Sequence, residues 1–135
     1  MQSKMILKTG LRPDSRKLPF VVHRDISSLP HRPGLFVLLG PGQTRRDRPL
    51  YFGYADRSMR DQLPYDPGFA HAIRYGPLDF ASAYVPGGED PATLVHDLAV
   101  ANDAPVNAAA DALAEIEAAQ STIQAQALAR KIAAQ

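Results

Sequence analysis

Five consecutive apolar residues, Leu35 to Leu39, stand between Pro33-Gly34 on one side and Gly40-Pro41 on the other. Nothing else in the chain constrains its fold as much. The run is of strand length and is punctuated at both ends, so it predicts a central strand. The segment that follows, GPGQTRRDRP from Gly40 to Pro49, is too polar and too rich in Gly and Pro to pack. A second apolar run, Leu50 to Tyr54, comes next, and the two runs together predict a hairpin with a long basic loop. Residues Asp79 to Val85 alternate in the strand manner and stop at Pro86-Gly87-Gly88.

Between and after these strands the signals are helical. Asp56 is a good N-cap for a short helix over Arg57 to Leu63, stopped by Pro64, and residues 68–75 fit a second short helix ending before Gly76-Pro77. Asp90-Pro91 opens a third helix at its favoured cap and first position, running to about Asn102. From about Asn107 the chain is rich in Ala, Gln and Glu, with Leu113, Ile116, Ile123, Leu128 and Ile132 as a loose apolar stripe. That composition predicts one long, thinly amphipathic helix. Residues 1–33 hold two short runs, Met5 to Leu7 and Leu18 to Val22, that read as short strands or extended arms around a turn. The expected fold is α+β: a small antiparallel sheet with core strands at about 34–40, 49–54 and 79–85, flanked by helices. Residues 1–28 form an N-terminal extension, 29–107 the domain proper and 108–135 the C-terminal helix.

At 135 residues, 45% hydrophobic and 21% charged, this is one domain's worth of ordinary globular composition. No apolar run approaches the roughly 20 residues of a membrane span. Met5-Ile6-Leu7 is far short of a secretory leader, so a cytoplasmic location is expected. The absence of cysteine excludes disulfides and thiolate metal sites, and the four histidines are too scattered to suggest a metal cage. The net charge of +1 hides a division, with +8 in residues 1–60 and −7 in residues 61–135. Such asymmetry points to an anionic partner for the first half, or to two halves that attract each other.

Three segments in order carry a resemblance. LPHRPGLFVLL at 29–39, with Gly34-Leu35-Phe36, is followed by Leu50-Tyr51-Phe52-Gly53, and LVHDLAVANDAPVN at 94–107 closes with Pro105, Val106 and Asn107. This order resembles the GIY-YIG nuclease superfamily over residues 29–107. Members of that family use a tyrosine from each strand, a helix arginine and a metal-binding glutamate to hydrolyse a phosphodiester. The resemblance places Phe36 at the first tyrosine, where the ring stays and the hydroxyl is lost, and Tyr51 at the second. The family spacing puts Asp61 at the arginine and Val95 at the glutamate. Both oppose the chemistry, since Val95 offers no oxygen to Mg²⁺ and Asp61 repels phosphate. Arg57, four residues before Asp61, is the better substitute for the arginine if the helix extends back to it.

Other residues admit two readings. Arg45, Arg46 and Arg48 suit phosphate contact, or a solvated loop that serves solubility. Tyr51 is a relic of an active site or a packed strand tyrosine, and His71 a catalytic helper or a lone surface histidine. The C-terminal stripe pairs two chains or docks on the domain's own sheet, with docking expected for its first half. The function these readings lead to is a catalytically silent GIY-YIG-like module that binds DNA or RNA through Arg45, Arg46, Arg48, Arg57 and Arg60, without a cofactor. One alternative is a Mg²⁺-dependent endonuclease with displaced residues. Another is a subunit that meets a protein partner, or a second copy, through the C-terminal helix.

Overall fold

A computed structural model describes residues 3–41 and 47–134. The fold is α+β, built on one five-stranded antiparallel sheet. Its strands are β1 (Lys4–Lys8), β2 (Lys17–His23), β3 (Gly34–Gly40), β4 (Arg48–Ala55) and β5 (Asp79–Ala83), in the spatial order β1-β2-β5-β3-β4. The helices are α1 (Met59–Gln62), α2 (Pro67–Ala72), α3 (Pro91–Ala101) and α4 (Pro105–Ala133), with single 3₁₀ turns at Ile26–Ser28, Leu63–Tyr65 and Ile73–Tyr75.

The three core strands lie where the apolar runs place them, and the third stops two residues short of Val85, at Ala83. The N-terminal extension is more than an appendage. β1 and β2 form a hairpin, and β2 pairs with β5 through Val21↔Ser82, Val22↔Ala81 and His23↔Phe80. Three core strands thereby become five. β3 lies between β5 and β4 and is buried along its whole length, as an unbroken apolar run requires when both faces are covered.

Alternation assigns the two faces. Leu35, Val37 and Leu39 of β3 join Phe20, Phe52, Leu94 and Leu98 in a core under α3. Phe36 and Leu38 join Leu50, Met59, Leu63, Ala72 and Val106 in a second core under α1, α2 and the first turn of α4. The β3–β4 register shifts between Leu38 and Leu39, so that Leu38 faces Tyr51 and Leu39 faces Pro49. The extra residue, Leu50, is a bulge that turns Leu50 and Tyr51 toward the same core.

β4 is an edge strand, and an edge leaves backbone groups without partners. Asn107 takes up one pair of them. Its Oδ1 accepts from the Phe52 N–H at 2.8 Å and its Nδ2 donates to the Phe52 carbonyl at 3.0 Å. The amide acts as a one-residue strand and fixes the start of α4 to β4.

Two helical expectations need correction. Asp56 does not cap α1: the N-cap is Ser58, whose Oγ accepts from the Asp61 N–H at 3.2 Å. Docking of α4 also ends earlier than its apolar stripe suggests. Val106 is buried and Asn107 half-buried, but every residue from Ala108 to Ala134 is exposed. Beyond Asn107 the helix runs beside α2, where Ala109, Leu113 and Glu117 border a groove with Tyr51, Gly68 and His71 without burying a side chain.

Candidate functional site

The turn between β4 and α1 shapes an open cleft. Gln62 holds this turn from below: its Oε1 accepts from the Arg57 and Ser58 N–H groups, each at 2.8 Å, and its Nε2 donates to Asp56 at 2.6 Å. That hydrogen bond keeps the Asp56 carboxyl below the usual carboxylate range, with the Arg57 charge adding in the same direction. The Arg57 backbone is thus fixed while its side chain, 83% exposed, stands free, with one loose contact to Asp56 at 3.7 Å.

The cleft has a volume of about 760 Å³. Phe36 lies on its floor and Tyr54, Arg57 and Tyr65 on its sides, and the carboxylates of Asp61 and Asp66 also line it, with His31 and Ser58 on one wall. Gly53 opposite Phe36 is required, because a Cβ there would run into the ring. Tyr65 is 88% exposed and Tyr54 38%, so two aromatic faces and one guanidinium border the same opening.

On one wall His31 meets both Ser58 and Asp61: its Nδ1 lies 2.8 Å from Ser58 Oγ and 3.0 Å from Asp61 Oδ2. Serine, histidine and aspartate together invite comparison with a nucleophilic relay, but a relay uses both ring nitrogens, one for each partner. Here one nitrogen serves both, and Ser58 is buried and already engaged as a helix cap. The cluster ties the segment before β3 to α1. Asp61 also lies 3.7 Å from Arg60 Nε, so this carboxylate is flanked by a cation and a histidine.

The positions singled out by the GIY-YIG resemblance fall in three places. Phe36, Arg57 and Asp61 share the cleft. Arg57 reaches it from the turn before the Ser58 cap, and α1 does not extend back to it. Tyr51 lies behind the cleft, its ring 6.2 Å from that of Phe36, and lines a second groove with Gly68, His71 and Leu113. Gly68 is pressed against the Tyr51 ring with no room for a Cβ. Burial raises the Tyr51 hydroxyl above its ordinary pKa, and the Asp66 carboxylate, as hydrogen-bond acceptor and as a charge, adds to the shift. Val95 packs against the core under α3, on the opposite face of the sheet from Phe36. Among the described residues no three or more of His, Asp and Glu gather where a metal ion would be held.

The arginines divide as well. Arg57 and Arg60 belong to the cleft end of β4. Arg48 begins β4 at its other end, roughly 23 Å away at strand rise. Arg45 and Arg46 lie outside the described residues. The sequence reading missed His31, Ser58, Tyr54, Tyr65 and Asp66. Two of them carried a visible signal: Ser58, three residues before Asp61, has the spacing of a helix cap, and Asp66-Pro67 has the cap and first-position pair also present at Asp90-Pro91. No family model matches the chain, and no curated protein or solved structure matches it.

Proposed function

We propose that the chain is a catalytically silent, GIY-YIG-like module that binds nucleic acid, and that the cleft takes a single strand. One observation carries the reading: Tyr54, Tyr65 and the exposed guanidinium of Arg57 border one opening over the Phe36 ring, with Asp61 and Asp66 also in its lining. Bases stack on exposed aromatic rings whatever their sequence, and an arginine beside the rings meets the phosphate or stacks in turn. Arg60 and the basic first half of the chain add attraction at longer range. Silence is supported by Phe36, which has no hydroxyl, and by Val95, which lies across the sheet from the cleft.

Labelled single-stranded and duplex oligonucleotides, titrated at several salt concentrations, test this. Single strands should bind more tightly than duplex. Replacing Tyr65 by Ala should weaken binding roughly 5- to 150-fold if it stacks one base, the equivalent of about 1–3 kcal/mol. Arg57→Ala should flatten the slope of log K against log salt by about 0.7 for one phosphate contact on a single strand. Neutralising Arg45, Arg46 and Arg48 together tests the loop as a separate backbone contact, with a uniform loss across sequences expected. Absence of binding at low salt, or binding untouched by all of these changes, overturns the proposal. Mg²⁺-dependent cleavage by pure protein that Tyr51→Phe abolishes would replace it with the nuclease reading.

A further inference from the structure

α4 is 29 residues long, roughly 43 Å at helical rise; Leu113 and Glu117 border the groove shared with Tyr51, Gly68 and His71, and every residue from Ala108 to Ala134 is exposed. Leu113, Ile116 and Ile123 are 56%, 56% and 64% exposed. A helix that carries large apolar residues along one line and leaves them in water is marginal by itself, because helices in proteins draw most of their stability from packing.

The residues along that line have a regular spacing. Leu113, Ile116, Gln120, Ile123 and Ala127 alternate steps of three and four, the spacing of a two-helix seam. Leu128 and Ile132 fall off this line. Charge is segregated along the same helix: Asp111, Glu115 and Glu117 occupy its first half, Arg130 and Lys131 its end. Two such helices side by side in parallel would set acid against acid and base against base. Reversing one of them brings unlike charges together, and like-charge juxtaposition is what suppresses the other arrangement.

The antiparallel register follows from matching size along the seam. With the two-fold axis between Ser121 and Thr122, Ile116 lies opposite Ala127 of the second copy, Ile123 opposite Gln120, and Leu113 opposite the aliphatic stem of Arg130. Large residues then face small or flexible ones in each layer, which lets the backbones approach. Glu117, beside the seam, comes within about one helical turn of Arg130 and Lys131 of the second copy. The pairing is isologous, so it closes as a dimer and exposes no further seam.

We propose that the occupant of the α4 seam is a second copy of this chain, bound antiparallel through Leu113, Ile116, Gln120, Ile123 and Ala127. The proposal is independent of what the cleft binds. Sedimentation equilibrium on the full chain should give twice the chain mass of 14.7 kDa, falling to the monomer on dilution. Ile116→Glu with Ile123→Glu should yield a monomer with an intact domain, since both side chains are exposed in the single chain. Glu117→Lys should weaken association, and Glu117→Lys combined with Arg130→Glu and Lys131→Glu should restore it. The absence of native cysteine permits a direct test of direction. A mixture of Ile116→Cys and Ala127→Cys proteins should form a mixed disulfide, whereas Ala127→Cys alone should not cross-link. A monomer at every concentration overturns the proposal, as does a dimer that survives the two glutamates. Cross-linking of Ala127→Cys to itself overturns the antiparallel direction.

Discussion

Asn107→Ala removes the side chain whose amide closes the edge of β4 at Phe52, and its cost can be worked from two hydrogen bonds. The Phe52 N–H loses an acceptor at 2.8 Å and the Phe52 carbonyl a donor at 3.0 Å. At about 0.5–1.5 kcal/mol net for each, the loss is about 1–3 kcal/mol. Alanine is the better helix former by about 0.6 kcal/mol, which offsets part of it. The expected destabilisation is thus about 0.5–2.5 kcal/mol, or about 4 °C in melting temperature for each kcal/mol in a domain of this size. Urea denaturation should show a lower midpoint with an unchanged slope. Asn107→Asp is the sharper variant: it keeps an acceptor for the N–H but sets an oxygen against the Phe52 carbonyl. It should therefore be no more stable than Asn107→Ala, even though a carboxylate in the first turn of a helix is otherwise favourable. Amide exchange supplies an independent reading, since Phe52 should lose protection while Val37, its neighbour across β3–β4, keeps it. If Asn107→Ala stays within a few tenths of a kcal/mol of the parent and Phe52 remains protected, the amide does not hold the edge and the reasoning fails.

Gly53→Ala should cost about 1–3 kcal/mol, because the new Cβ meets the Phe36 ring and overpacks the cleft floor; calorimetry of the pair Gly53→Ala and Gly53→Ala/Phe36→Leu checks it, with the second change recovering part of the loss. His23 is buried against Ser82, with Nε2 to Oγ at 2.9 Å, and burial lowers its pKa from 6.5. The unfolded chain then binds a proton that the folded one refuses, so stability is lost as pH falls through 6.5 and levels off below the folded value. His23→Asn should flatten that part of the stability–pH curve, and an unchanged curve would count against the assignment. Tyr51, raised above its ordinary value of 10.0, runs the other way. The unfolded chain gives up its proton first, so stability falls as pH climbs through 10, and ultraviolet titration should show a late tyrosine that Tyr51→Phe removes.

The parts of the fold that were legible in the sequence are those whose signal is local. Leu35 to Leu39 is bracketed by Gly and Pro, Leu50 to Tyr54 is opened by Pro49, and Asp90-Pro91 is a cap with its preferred neighbour, so those elements fall where the residues put them. β1 and β2 were half legible: the runs are visible, but their place in the sheet depends on pairing with β5, some sixty residues away. The choice of Ser58 over Asp56 as cap was not legible, because both residue types serve and the decision rests with Gln62, which engages Asp56 and pins the turn. The cleft was hidden for a similar reason. His31 reaches Ser58 and Asp61 because the Met59 N–H bonds to the Arg32 carbonyl and the Arg60 N–H to the Pro30 carbonyl, contacts that no short motif announces. The stripe of α4 was legible only as a loose one, because Leu113, Ile116, Ile123, Leu128 and Ile132 stand at uneven steps that do not say which surface covers them.

The cleft and α4 are rooted in the same strand. Tyr54 of β4 borders the cleft, Tyr51 lies under the start of α4, and Phe52 between them is bonded to Asn107. If both proposals hold, an antiparallel pair of α4 helices separates the two roots by roughly 43 Å along their common axis, with the two clefts related by the two-fold. A strand long enough to span both clefts then engages the second as an intramolecular event, at an effective concentration set by the connecting nucleotides. A strand that fills only one cleft gains nothing from the second copy. The dimer should therefore bind a long oligonucleotide 10²–10⁴-fold more tightly than a short one of the same composition, within the usual range for linked sites. Ile116→Glu with Ile123→Glu should erase that difference while leaving affinity for the short strand unchanged, because neither residue lines the cleft. Titrating both lengths against both proteins decides it. A length dependence that survives in the monomeric variant means that one domain holds the whole strand, and the two clefts then act separately.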